Sequence, residues 1–128
     1  MVTMDEVATA AMSLPEVREV VRHGERAWSV HGKVFAWDRP FSKADIRRFG
    51  SDPIPEGQIL GLAVADLSDK EAVLAVHDAL FTIPHFDGYA AVLVRLADCP
   101  APLLAEVLED AWLSVAPAAL ASEFLAGR

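Results

Sequence analysis

Cysteine is nearly absent from this chain: Cys99 is the only one in 128 residues. An internal disulfide is therefore excluded, and a zinc site would have to draw on several histidines instead. Long apolar runs are missing too. Hydrophobic residues make up 53% of the composition, yet no uninterrupted stretch reaches the about 18 residues of a membrane span. The N-terminus, Met1-Val2-Thr3-Met4-Asp5-Glu6, lacks the basic start and apolar run of a signal peptide. These absences predict a reducing, cytoplasmic setting. Repeats, low-complexity tracts and linkers are lacking as well. The expectation is a single domain over residues 1–128, long enough to bury a core.

Motifs that carry chemistry are equally scarce. The glycines around Gly24–Gly32 and Gly57–Gly61 match neither the phosphate-loop spacing nor the dinucleotide fingerprint. No G-x-S-x-G elbow presents a serine nucleophile. Of the four histidines, His23, His31, His77 and His85, no two stand at the i, i+4 spacing of a helical metal pair. Cys99 precedes Pro100 at a helix entrance, where backbone amides favour a thiolate. The simpler reading is a small residue at a strand-to-helix junction. No enzyme, cofactor or metal is expected.

Charge is present but unevenly placed. The net charge is −8, from 11 basic and 19 acidic residues, which by itself disfavours a general nucleic-acid binder. Between Arg18 and Arg48, however, eight basic residues face only Glu19, Glu25, Asp38 and Asp45. That segment carries +4 and the rest of the chain −12. One reading is a phosphate-binding patch; the other is a solvated face paired with neighbouring acids.

The spacing of apolar residues supplies the elements. Thr3 and Glu6 form a capping-box pair opening a first helix along Met4, Val7, Ala8, Ala11 and Met12. Val17 to His23 reads as a strand. Residues 26–30 and 33–37 read as a hairpin turning at His31-Gly32, where glycine supplies the positive φ of a tight turn. Its register would set Trp28 opposite Phe35, Arg26 opposite Trp37 and Val30 opposite Lys33. Trp28, Phe35 and Trp37 would then share one face, either as core or as a base-stacking platform.

Ser42 predicts the cap of a short helix stopping at Gly50. Ile59 to Ala65 reads as a strand. Ser68 and Glu71 predict a capping box for a helix with Ala72, Val73, Val76, Ala79 and Leu80 inward. Tyr89 to Leu96 reads as the last strand. Leu103, Leu104, Val107, Leu108, Ala111, Trp112 and Val115 make a helical stripe broken at Pro117, with a terminal helix beyond. Hairpin-linked strands flanked by helices predict an α+β two-layer sandwich, an antiparallel sheet with helices on one face. The loop Pro84-His85-Phe86-Asp87-Gly88 sets an imidazole beside a carboxylate, which suits either an oriented base or a turn fixed by the Asp87 side chain.

Leu14-Pro15-Glu16-Val17, followed by the run Ala27 to Ala36, resembles the L-P-x-V … F-x-V-x-G-K-x-F-A signature of the MmcQ/YjbR-like family. Tyr89 to Val94 resembles its aromatic-led last strand. Glu109-Asp110-Ala111-Trp112 resembles its final helix, with Ala111-Trp112 where the family usually has Ser-Tyr. The loop from Pro84 to Tyr89 is similar to an actinobacterial-looking branch of the group. The resemblance implies a CyaY-like α+β sandwich and a DNA-binding role, the label that members often carry. A frataxin-type fold also brings iron to mind as a ligand, for which the first helix offers only Asp5 and Glu6.

The expected function is thus weak, non-catalytic, salt-sensitive DNA binding through Arg26, Lys33, Arg39, Lys43, Arg47 and Arg48. The alternative is a protein- or small-ligand-binding domain with no nucleic-acid role, in which the loop residues His85, Asp87 and Tyr89 would take part.

Overall fold

Two His-Gly dipeptides shape the first half of the sheet. In the computed structural model, which describes residues 2–128, His23 and Gly24 have φ of 53° and 77°, and His31 and Gly32 have 48° and 80°. Positive φ at both central residues is the signature of type I′ turns, whose twist matches that of the flanking strands. They link β1 (Val17–Arg22), β2 (Glu25–Val30) and β3 (Lys33–Asp38) into an antiparallel meander. The second turn lies at the expected place. The first is a hairpin that the dense charges of β1 hide in the sequence.

The remaining strands are β4 (Ile59–Ala63), a two-residue β5 (Leu80–Phe81) and β6 (Ala91–Arg95). The six-stranded order is β1-β2-β3-β4-β6-β5, with every pairing antiparallel. The helices are α1 (Met4–Met12), α2 (Lys43–Phe49), α3 (Leu67–Val76), α4 (Ala101–Val115) and α5 (Ala118–Ala126). The predicted α+β sandwich is therefore observed. None of the helices among the described residues is long and apolar enough to cross a membrane.

The β2–β3 register departs from simple alternation. Val30 pairs with Lys33 and Ser29 with Val34, but Trp28 pairs with Ala36 and Ala27 with Trp37. Phe35 is the extra residue of a β-bulge, so Trp28 lies opposite Ala36 and not Phe35. A one-residue slip exchanges the faces of everything beyond it. Trp28, Phe35 and Ala36 belong to the main core, whereas Trp37 packs on the reverse face with Ile59, Ile83, Phe86, Ala91 and Leu93. The expected three-aromatic face is thus divided between the two sides of the sheet. Gly61 makes room for it: Trp37 pairs with Gly61 across β3–β4, and a Cβ there would run into the indole ring.

The main core lies under α1, α4 and α5. The apolar stripe of α4 buries Leu104, Val107, Leu108, Ala111 and Trp112, on β3, β4 and α1. Trp112 is fully buried, and its Nε1 donates to the Pro15 carbonyl at 3.1 Å. A second, smaller layer covers part of the reverse face. Phe41 from the segment before α2, Phe49 of α2 and Phe86 of the 3-10 turn Pro84–Phe86 pack on it.

Capping follows the expectations for α1, through Thr3 and Glu6, and for α2, through Ser42 and Asp45. It differs for α3. Asp66, not Ser68, is the N-cap, accepting from the Asp69 amide at 2.7 Å. A carboxylate caps a helix as well as a hydroxyl does, and its charge favours the positive helix end. The helix therefore starts at Leu67 and ends before Leu80, which pairs in β5 instead. Ala72 and Val76 face solvent, and Val73 and Leu74 face the core.

Trp112→Ala should cost about 3–5 kcal/mol in a denaturant titration, since it removes a large core aromatic. Gly61→Val should cost about 1–3 kcal/mol by overpacking. The same substitution should also shift Trp37 fluorescence, because the added side chain pushes the ring toward the open cleft that it lines.

Candidate functional site

The basic segment does not form one patch. Arg26 lies on the helix side of the sheet, where its guanidinium grips Glu19 through two bonds of 3.0 and 3.1 Å and reaches Asp5 of α1 at 2.7 Å. Glu19 also accepts from Trp28 Nε1 at 3.0 Å. The Arg26 bonds, aided by the Trp28 donor, outweigh desolvation and hold the Glu19 carboxyl below the usual glutamate range.

Arg39 lies on the reverse side, 5.4 Å over the Phe86 ring, and pairs with the buried Asp45 at 3.0 Å. Burial pushes the Asp45 carboxyl up, but bonds from Ser42 and Arg39 outweigh it and leave the group below its ordinary range. Asp45 Oδ1 makes no hydrogen bond, and Arg48 stands 3.8 Å from it. Lys33 sits at the hairpin turn, five residues along β3 from Asp38, roughly 16 Å away at strand rise. Of the six predicted contact residues, only Lys33, Lys43 and Arg47 have no acidic partner within salt-bridge reach among the described residues. Lys43 and Arg47 share one face of α2 by their i, i+4 spacing.

The loop from Ile83 to Ala90 is fixed by a residue that sequence reasoning missed. Lys70 of α3 is buried, and its Nζ donates to the carbonyls of Phe86 at 2.7 Å and Tyr89 at 2.9 Å. Burial holds the ammonium below the usual lysine range, partly offset by the charge of Asp87. The turn is thus tied by Lys70, not by the Asp87 side chain. Within Asp69-Lys70-Glu71 a lysine reads as surface, and no local signal marks it as buried. Phe86 points into the smaller core, while His85, Asp87 and Tyr89 are exposed.

Once the loop is fixed, His85 and Tyr89 face the β1–β2 hairpin across a cleft of about 450 Å³. Arg22, His23 and Glu25 form one wall. Trp37, Asp38, Arg39, Pro40 and Ser42 form the next, and His85, Phe86 and Tyr89 close it. Asp87 does not line it. The floor is aromatic: Trp37 and Phe86 meet edge-to-face at 6.4 Å, and Phe86 and Tyr89 at 5.5 Å. The Arg22 guanidinium lies 5.9 Å over Trp37. Burial, reinforced by Glu25, pushes the Asp38 carboxyl up. Rings, guanidiniums, imidazoles and carboxylates thus converge from three segments. Of these, Trp37, Arg39, His85 and Tyr89 stand among the residues singled out from sequence as candidate contacts. Cys99 is buried away from this cleft and its thiol is pushed up by that burial, which fits the junction reading. Among the described residues no cluster of three or more His, Cys, Asp or Glu side chains is placed to hold a metal.

A family model described as YjbR matches residues 12–114. The chain belongs to the YjbR family. Uncharacterized relatives in Mycobacterium tuberculosis H37Rv (Rv2570) and Mycobacterium bovis (Mb2600) are 44% identical over 130 residues, covering 98% of this chain and 98% of each relative. The crystal structure of the Deinococcus radiodurans protein DR2400, which carries a DUF419 domain, superposes with a TM-score of 0.61 at 23% identity. That match covers 94% of this chain and 86% of the other. It shows the shared YjbR fold.

Arg39→Met should destabilise the protein by about 1–3 kcal/mol at neutral pH, because it leaves the buried Asp45 charge with only the Ser42 cap and Arg48 at 3.8 Å. The Asp45 carboxyl is depressed in the folded state, so its stabilising contribution is present above the unfolded carboxyl pKa of about 3.9 and is lost on acidification below it. The gap between wild type and variant should accordingly narrow in urea titrations below about pH 4.

Proposed function

We propose that this YjbR-family chain is a non-catalytic binding domain, and that the cleft between the β1–β2 hairpin and the 84–89 loop takes a nucleotide-like ligand, a flat ring bearing a phosphate. The observation that carries this reading is the convergence of an aromatic floor with both donors and acceptors in one concavity. Aromatic faces stack on bases whatever their sequence. Asp38 and Glu25 suit an exocyclic amine, and Arg22, His23 and His85 suit a phosphate. The volume lies within the range of small-ligand sites. In support of a non-catalytic role, the aliphatic hydroxyl in the cleft, Ser42 Oγ, is engaged in capping α2 by accepting from the Asp45 amide.

DNA binding is the second reading, and the unpaired Lys43 and Arg47 on α2 favour it. A single strand with one base in the cleft would run its phosphates past that helix. Glu25 and Asp38 oppose a long phosphate track, so affinity would be weak and steeply salt-dependent.

Trp28 and Trp112 are fully buried and Trp37 is partly exposed at the cleft, so Trp37 fluorescence reports occupancy. Adenosine and cytidine monophosphates should quench it saturably at low salt, and Arg22→Gln should weaken them about tenfold, the loss of one charged contact. A labelled single-stranded oligonucleotide in the same buffer tests the second reading. Binding lost on combining Lys43→Glu with Arg47→Glu supports DNA. If mononucleotides and oligonucleotide both leave the Trp37 signal unchanged, the nucleotide reading is wrong.

A further inference from the structure

A second cleft, on the other side of the sheet, has a different chemistry. It holds about 350 Å³ between α3, α4 and the helix-side face of β4 and β6. Its depth is apolar, formed by residues such as Leu62, Val73, Val92 and Val107. Two carboxylates, Asp69 from α3 and Asp110 from α4, stand on its lining, with His77 and Ser114 as the remaining polar side chains. The cleft has no lysine or arginine on its lining. Lys70, the neighbour of Asp69, directs its ammonium to the 84–89 loop. Arg128 is paired with Glu109. His77 stands 3.9 Å from Glu106, outside hydrogen-bond distance. Asp69, whose Oδ2 accepts from the Ala65 amide at 3.4 Å, and Asp110 therefore stand at the exposed rim of an apolar cavity with no lysine or arginine in salt-bridge reach among the described residues. Burial, together with Glu106, Glu109 and Asp69, pushes the Asp110 carboxyl up, and His77 on the same lining offsets this only in part.

We infer that this cleft binds a small amphiphilic amine, a hydrocarbon or aromatic body that fills the apolar depth and an ammonium that meets Asp110 and Asp69. Charge complementarity selects this occupant. A neutral hydrocarbon of the same shape would fill the cavity without engaging the two carboxylates at its rim, and an anion would be repelled. The amine supplies both the buried apolar area and the missing positive charge. The site is separate from the Trp37 cleft, being lined from the opposite face of the sheet, so it does not depend on the reading given for that cleft.

Phenethylammonium is a suitable probe, followed by amide chemical shifts of the full chain, with phenethyl alcohol and phenylacetate as neutral and anionic matches. The amine should perturb amides of α3 and α4 saturably at millimolar concentration. The alcohol should bind about tenfold more weakly, the equivalent of one charge contact, and phenylacetate not at all. Asp110→Asn, at an exposed position that tolerates the change, should reduce amine affinity to that of the alcohol. Val73→Phe should block both by filling the cavity. Equal binding of amine and alcohol, indifference to Asp110→Asn, shifts confined to the 84–89 loop, or no binding at all would each overturn the inference.

Discussion

The constraint on which most else depends is the extra residue at Phe35. In the strand Val34-Phe35-Ala36-Trp37, strict alternation would bury Phe35 and Trp37 together. The bulge instead keeps Phe35 and Ala36 in the main core and turns Trp37 to the reverse face. That exchange requires the bare backbone of Gly61 opposite. It also supplies the ring around which Phe86, Arg22 and the 84–89 loop assemble. Without the bulge the reverse face would lose its largest aromatic group and the cleft its floor.

Charge pairing then determines which basic residues remain available. The excess of +4 between Arg18 and Arg48 suggests a continuous patch, but the acids in the same segment are few and well placed. Glu19 and Asp45 each engage an arginine, on opposite faces of the sheet. Partnered arginines still carry charge, yet their guanidiniums are held by bonds that any incoming phosphate would have to replace. A run of like charge in sequence therefore translates into a patch in space only where no local carboxylate intervenes.

Much of the fold was legible in the residues themselves. Thr3 with Glu6 and Ser42 before Lys43 are local chemical signals, and both begin the helices they suggest. The α4 stripe has a single apolar face, so its five buried residues could be read directly. What escaped was non-local. Whether β3 alternates or bulges depends on Gly61 in another strand. Whether Lys70 is surface or buried depends on two carbonyls 16 and 19 residues away. The His23-Gly24 turn was hidden because β1 is an exposed edge strand whose polar residues blur its boundary. The two-residue β5 is too short for any periodicity to register. Of the cleft, its loop, Trp37 and Arg39 were visible singly but their convergence was not, since three distant segments meet there only after the sheet has formed.

The hydrogen bond between Trp112 and Pro15 spans 97 positions. It bears on how the chain leaves the ribosome. The meander of β1, β2 and β3 is joined by two-residue turns and closes over short distances, at little loop-entropy cost. Its helix-side face carries Trp28 and Phe35, and α4, at the far end of the sequence, is a large part of what shields it. During synthesis that apolar surface stays uncovered until α4 has emerged, an interval in which nascent chains are exposed to association. A chain truncated before Ala101 would keep that vulnerability permanently, since α1 and α3 leave the ground beneath α4 open to water.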